Sequence, residues 1–262
     1  MKNKMQRTLL FLVLFLSGVG MSWGQKVEKS FSAGGKSIDI ALSNASLIVE
    51  GHNGSNLIIE TEGIKPPPER AKGLRPLFND ATDNTGLGLQ VEESGNAIRV
   101  KKASNQQLDY RLKVPKNAHL KIEETSWMGG EFAFKNLNGE VEVKSNGSRL
   151  KFEEVSGPIV ASSTSGEITV VFSELNTEKP TAISNVSGII DISLPSSTKA
   201  NLELSSISGE IYTDLDIKTP NSEEGGMKRL GGPHSLSGTL NGGGVEISLK
   251  AISSNIYIRE KK

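Results

Sequence analysis

The sequence predicts an all-β protein whose larger part is a parallel β-helix, or β-solenoid, wound right-handed. Three observations predict it: a recurrent Asn/Ser-Gly turn, a strand of alternating apolar residues at fixed phase after each turn, and a composition poor in aromatics. Aromatic residues make up 5% of the 262-residue chain, whereas glycine reaches 28. That balance belongs to many short strands joined by tight turns.

The motif is clearest in Leu137-Asn138-Gly139-Glu140-Val141, Val155-Ser156-Gly157-Pro158-Ile159, Val186-Ser187-Gly188-Ile189-Ile190 and Ile207-Ser208-Gly209-Glu210-Ile211. Gly130 and Gly166 open the same strand after weaker lead-ins, and Gly147 marks a turn whose strand is displaced by one residue to Leu150 and Phe152. From Gly130 to Gly166 the successive glycines lie 9, 8, 10 and 9 residues apart, and the steps on to Gly188 and Gly209 are 22 and 21. The longer step is about twice the shorter, so the spacing reads as half-turns and full turns of a winding chain.

Within each strand the two-residue period sorts the side chains. Val141, Val143, Ile168 and Val170 are expected to face inward, and Glu140, Glu142, Glu167 and Thr169 to face water. One coil cannot bury its apolar side alone; stacking supplies the core. Glycine is expected at each corner because it adopts left-handed and turn conformations that a β-branched residue adopts only at a cost. An antiparallel β-sandwich is the alternative, since it also produces short alternating strands at regular spacing. The same turn residues recurring at one phase favour the solenoid.

The elements follow in chain order. Lys2, Lys4 and Arg7 precede an apolar run from Leu9 to Leu16, with Ser22 and Gly24 at cleavage-site spacing, which reads as a secretory signal peptide over residues 1–24. The run falls short of the ~20 residues a spanning helix needs, so no membrane span is expected after cleavage. Residues 25–107 read as an N-terminal β region, with strands at Ser37-Ile40, Ser46-Glu50 and Asn56-Thr61 and a Pro-rich protruding loop at about 65–88. Residues 108–262 read as the repeat region, interrupted by a Gly-rich loop at about 219–237. Val245-Ile247-Leu249 and Ile256-Ile258 make its closing strands, and the charged tail Arg259-Glu260-Lys261-Lys262 is expected to guard an open terminal edge.

Three stretches resemble a known family, the bacterial adhesin-like proteins built of β-strand repeats, a domain of unknown function. They are Leu108-Asp109-Tyr110-Arg111-Leu112-Lys113-Val114-Pro115, the glycine turns from Gly130 to Gly209, and Leu240-Asn241-Gly242-Gly243-Gly244-Val245 with Ile256-Tyr257-Ile258-Arg259. The resemblance covers residues 108–262 and implies an extracytoplasmic, non-catalytic β-helical protein, with no functional residues carried over. Trp127-Met128-Gly129 departs from it where a polar turn is expected, as does Ser253-Ser254-Asn255 where an Asn-Gly corner is usual.

The residues suggest no catalytic constellation and no cofactor. His52, His119 and His234 are far apart and form no ligand-spaced pair, so surface positions are expected and no metal site is assigned. The absence of cysteine removes disulfides, thiolate chemistry and a lipid-modified N-terminal Cys. The Ser-Gly serines belong to turns, and Gly242-Gly243-Gly244 lacks the Lys-Ser/Thr of a phosphate loop. Glu123-Glu124 and Glu153-Glu154 are adjacent in strands and point to opposite faces. Glu140, Glu142 and Glu167 are expected to stack in a row across coils, as a solvated face or, if joined by a basic residue in one groove, as a carbohydrate-active site. Trp127 is the one candidate binding residue, as an aromatic platform if it lies outside the coil and as a core plug if inside, the plug being the ordinary use of such a residue.

Cleavage would remove three of the 30 basic residues against 30 acidic ones, leaving a net charge of −3 and nothing to attract nucleic acid. The expectation is a secreted periplasmic or surface protein, a binding or scaffold module for an envelope protein or glycan. A carbohydrate-active β-helix enzyme and an accessory protein of envelope-stress signalling are the alternatives, and oligomeric state stays open.

Overall fold

The computed structural model describes residues 26–66, 68–74, 81–219 and 234–262; the expected signal peptide lies outside them. After β1 (Val27–Ser32), the chain forms β2 (Ser37–Leu42), β3 (Ala45–His52), β4 (Asn56–Thr61), a 3-10 turn at Glu69–Ala71, β5 (Leu89–Ser94), β6 (Ala97–Lys102) and β7 (Leu108–Pro115). It then alternates: β8 (Leu120–Glu124) with β9 (Glu131–Lys135), β10 (Val141–Ser145) with β11 (Arg149–Val155), and β12 (Ile159–Ser165) with β13 (Ile168–Phe172). The pairs continue with β14 (Thr181–Ser187) and β15 (Ile190–Leu194), then β16 (Ala200–Ser206) and β17 (Ile211–Thr213). β18 (His234–Leu240), β19 (Val245–Ala251) and β20 (Ile256–Glu260) complete the described strands.

One strand of each coil joins a first ten-stranded sheet, through β2, β6, β8, β10, β12, β14, β16 and β19, and the next joins a second, through β3, β7, β9, β11, β13, β15, β17 and β20. Eight two-stranded coils therefore stack as a flattened parallel solenoid. Parallel registers such as Val141↔Ile159 and Leu150↔Ile168 rule out the antiparallel sandwich. Strands of the front region lie in the same two sheets as the repeats: β2 pairs with β8, and β3 with β9.

The coils do not stack in chain order. β2 and β3 sit between the second and third coils, and β19 and β20 sit between the sixth and seventh, so the spatial order of coils is 2-1-3-4-5-6-8-7. β20, with Ile256 and Ile258 fully buried, takes an interior position, and the three-residue β17 is left at the edge of its sheet, where a short strand offers little to a foreign chain. Antiparallel strands flank the stack elsewhere: β5 on β6, β4 on β7 with β1 beyond it, and β18 on β16.

Two expectations change here. The Gly-rich segment was expected to run to Ser237, but β18 starts at His234 and places Leu236 and Leu240 against the core; only two apolar residues among serines made this strand hard to see. The charged tail does not guard an edge, because β20 has a partner on both sides and Lys261 N donates to Leu194 O at 2.7 Å.

The turn glycines occupy the corners, but the decisive constraint is close approach between coils. A Cβ on Gly157 would lie 1.9 Å from Gly139 O, and one on Gly139 would lie 2.1 Å from Ala118 O, so successive corners stack backbone on backbone. At the opposite corner Gly188, at φ +133°, would place its Cβ 2.0 Å from Gly166 O. Conformational freedom and steric room are both required there. Between the corners Phe132, Phe134, Phe152 and Phe172 are buried in the second sheet, with Phe134 and Phe152 stacked at 4.6 Å. Each such ring contributes about 1.5–3 kcal/mol by leaving water.

Candidate functional site

A polar column lies beneath the corner that leads from the first sheet to the second. The last inward position of each first-sheet strand stacks as Ser145↔Ser163↔Asn185↔Ala251↔Ser206, with Glu124 beside Ser145. Every one of these residues is buried. Their polar atoms serve the corner backbone: Asn185 Nδ2 donates to Gly166 O at 2.8 Å, Ser206 Oγ to Ser254 O at 2.8 Å, and Gly188 N to Ser254 Oγ at 2.6 Å. The serine at 254 thus stands in for the missing Asn-Gly corner. The signal was present in the sequence as a polar residue two positions after the last apolar one, in Val143-Lys144-Ser145 and Ile183-Ser184-Asn185.

Glu124 is the charged member of this column, 3% exposed. Its Oε2 accepts from Ser145 Oγ at 2.6 Å and from the backbone amides of Asn146, Gly147 and Ser148 at 2.9, 3.0 and 3.1 Å, and its Oε1 accepts from Ser148 Oγ at 2.8 Å. Burial pushes the carboxyl up, but the hydrogen bonds from Ser145, Gly147 and Ser148 outweigh it, so its pKa ends below the ordinary value. The carboxylate is fully used by the corner and is structural. A Cβ on Gly129 would strike it at 1.6 Å, so the loop after β8 must pass over it as Met128-Gly129-Gly130.

That loop carries Trp127 and Met128 outward, 68% and 72% exposed. The core-plug use is therefore excluded, and Trp127 is an exposed side chain on a corner. Glu140 and Glu142 lie on the first sheet, whereas Glu167 leads into β13 on the second, so the expected single row does not form. Each is matched by a cation: Lys179 reaches Glu140 at 2.6 Å, Lys121 reaches Glu142 at 3.8 Å, and Arg149 Nε reaches Glu167 at 3.5 Å. Glu167 is thereby parted from Glu140 and Glu142, so the three carboxylates on which the enzyme reading rested are not gathered in one groove. His52 Nε2 lies 2.8 Å from Asn56 O and His234 Nδ1 lies 3.7 Å from Glu210, on separate parts of the molecule.

A second aromatic feature sits at the end of the second sheet. Tyr212 on β17 and Tyr257 on β20 occupy matched register positions and stack at 5.1 Å with their planes 12° apart. Tyr212 is 50% exposed. No described strand lies beyond β17 in this sheet, so none of the described strands stacks on the outer side of Tyr212. Arg259 lies 5.6 Å from the Tyr257 ring centre and donates to Asp191 Oδ2 at 2.8 Å. Burial holds the Asp191 carboxyl above its usual range, with Arg259 pulling it down and Glu167 pushing it up. Around the rings Ser193, Thr213, Asp214, Glu260 and Lys262 line an open depression of about 370 Å³. Both tyrosines follow an isoleucine at the start of a strand, Ile211-Tyr212 and Ile256-Tyr257; the repeat of this dipeptide was the signal for the pairing.

The same end bears Val186, Ile252 and Ile207, exposed at corresponding corner positions of three neighbouring coils. In earlier coils the residues leaving the strands at this corner are the polar Thr125, Asn146 and Thr164.

Residues 131–258 match the family Toastrack DUF4097. Over this stretch the chain is similar to that family. The match begins at β9 and ends within β20, so Tyr212 and Tyr257 lie inside the matched stretch and Glu124 and Trp127 just before it. Three solved structures are similar to the chain. A candidate cell adhesion protein from Clostridium sporogenes is 10% identical, with 91% of this chain and 100% of that one covered and a TM-score of 0.47. A candidate adhesin from Bacteroides fragilis is 9% identical, with 90% and 97% covered and a TM-score of 0.33. A candidate lipid binding protein from Parabacteroides distasonis is 12% identical, with 90% and 97% covered and a TM-score of 0.29. No curated protein matches. Among the described residues no helix is long and apolar enough to cross a membrane.

Proposed function

We propose that this protein is an exported, non-catalytic binding module of the bacterial envelope that holds a glycan against Tyr212 and Tyr257. The observation that carries this reading is the stacked tyrosine pair at the sheet edge, bordered by hydroxyls, carboxylates and cations in a depression of about 370 Å³. A sugar ring presents an apolar face and a rim of hydroxyls. The Tyr212 ring suits the face, and Thr213, Ser193, Asp214 and Arg259 suit the rim. Arg259 is held toward its ring by Asp191, so little side-chain order is lost on binding. Export is supported by the N-terminal basic and apolar pattern of residues 1–24.

The test is an array of bacterial and host glycans probed with the purified protein, followed by calorimetry on the best ligand. Tyr212→Ala is expected to weaken binding roughly tenfold or more, the size of losing one aromatic contact, while Trp127→Ala leaves it unchanged. Turnover of the glycan, or equal affinity in Tyr212→Ala and wild type, would defeat the proposal.

A further inference from the structure

The winding register sets three ligand-bearing side chains together on the outer face of the first sheet. Leu120 N donates to Glu140 O at 2.9 Å and Val141 N to Pro158 O at 3.0 Å, which locks three consecutive corners at strand spacing. Because Leu120 pairs with Val141, His119 stands beside Glu140, and Glu142 follows one strand step further on the same face. His119 Nε2 lies 3.3 Å from Glu142 Oε1. One ring nitrogen of His119 and one oxygen from each of Glu140 and Glu142 all lie within 4.8 Å of one another. Ligand atoms around a tetrahedral ion with bonds of about 2.0–2.2 Å sit roughly 3.3 Å apart, so modest rotamer adjustment closes the set.

We propose that His119, Glu140 and Glu142 form a surface site for a divalent transition ion, with zinc as the matching case and water completing its coordination. The imidazole nitrogen is what favours such an ion over magnesium or calcium, which prefer oxygen throughout. The strands on either side hold the ligand backbones in place, so the site is preformed by the solenoid rather than by a loop. Lys179 Nζ at 2.6 Å from Glu140 Oε2 and Lys121 Nζ at 3.8 Å from Glu142 Oε2 compete with the ion. Both lysine side chains are largely exposed, so they can turn into water when the ion arrives. The site is thus an exchange of ammonium for metal. None of these residues lines the tyrosine depression.

Calorimetric titration of the purified protein with zinc chloride in a non-chelating buffer tests it. One equivalent should bind; His119→Ala should weaken it roughly tenfold or more, and His52→Ala and His234→Ala should leave it unchanged. Lys179→Ala should tighten it roughly threefold, the size of an exposed ion pair removed from competition. All these positions are on the surface, and circular dichroism checks that each variant keeps its β-structure. X-ray absorption of the zinc-loaded protein should read one imidazole among oxygen ligands. Equal affinity in wild type and His119→Ala, no saturable binding, or an all-oxygen shell would overturn the proposal.

Discussion

Replacing Glu124 by alanine removes the acceptor for three backbone amides and two hydroxyls at one corner. Not all of these are orphaned. Ser148 N retains Ser145 Oγ at 3.1 Å, and Ser145 Oγ can donate to Ser148 O, now 3.4 Å away. The amides of Asn146 and Gly147 and the buried Ser148 hydroxyl are left, each costing about 1–3 kcal/mol when unpaired. Water entering the vacated space offsets part of this, so the expected loss is about 3 kcal/mol. Glu124→Gln keeps one carbonyl acceptor and loses the charge-assisted part of the bonds, for about 1.5 kcal/mol. Glu123→Ala removes an exposed carboxylate 3.4 Å from Lys144 and should stay within about 0.5 kcal/mol of wild type.

The assay is urea unfolding at neutral pH for all four proteins, with amide exchange of residues 146–148 as the local readout. The sign with pH follows from the lowered Glu124 pKa: the carboxylate's contribution is complete above the unfolded value near about 4.3 and is lost as pH falls through the lower folded value. The gap between wild type and Glu124→Gln should therefore narrow below about pH 4. A Glu124→Ala protein within 0.5 kcal/mol of wild type (about the size of the exposed-pair control) would refute the reasoning.

Gly157→Ala puts a methyl 1.9 Å from Gly139 O and should cost more than about 3 kcal/mol through coil separation, whereas Gly63→Ala, at φ +74° with nothing within 4 Å, should cost about 1 kcal/mol; thermal melts of the two variants check the contrast. Buried Lys102 donates to Ser43 O, Asn44 O and Gln106 O, and burial lowers its pKa to about 8. Its native form binds fewer protons than the unfolded chain above that value, so wild type should gain stability relative to Lys102→Met as pH rises from about 8 to about 10. A pH-independent difference in urea midpoints would contradict this.

Much of the winding was legible because it is written locally. Asn/Ser-Gly at one phase and inward Val141, Val143, Ile168 and Val170 describe a corner and a strand, and the structure buries all four. What strands neighbour at the ends is not local: β20 pairs in parallel with both β15 and β17, and nothing in Ile256-Tyr257-Ile258 says which coil comes between. Partners one coil apart were also hidden. His119 and Glu140 are separated by 21 residues, one turn of the coil, and no pair spacing along the chain suggests them. Glu124 looked like half of an acidic pair, because its role appears only once Asn146, Gly147 and Ser148 arrive from the next coil. Trp127 could be placed on either side of the wall until Gly129 was seen to slide over that carboxylate.

The interleaved order of coils bears on how the chain finishes folding. A solenoid stacked in sequence can grow and fray one repeat at a time from either end. Here residues 245–260 must slot between two coils made earlier, so the seventh coil cannot dock on the sixth until the chain behind it has been delivered. In folding, this acts as a latch thrown by the arriving C-terminal segment. Once thrown, that segment cannot peel away without breaking its pairing with both β14 and β16, and the end of the coil is held like a tucked flap rather than a loose thread.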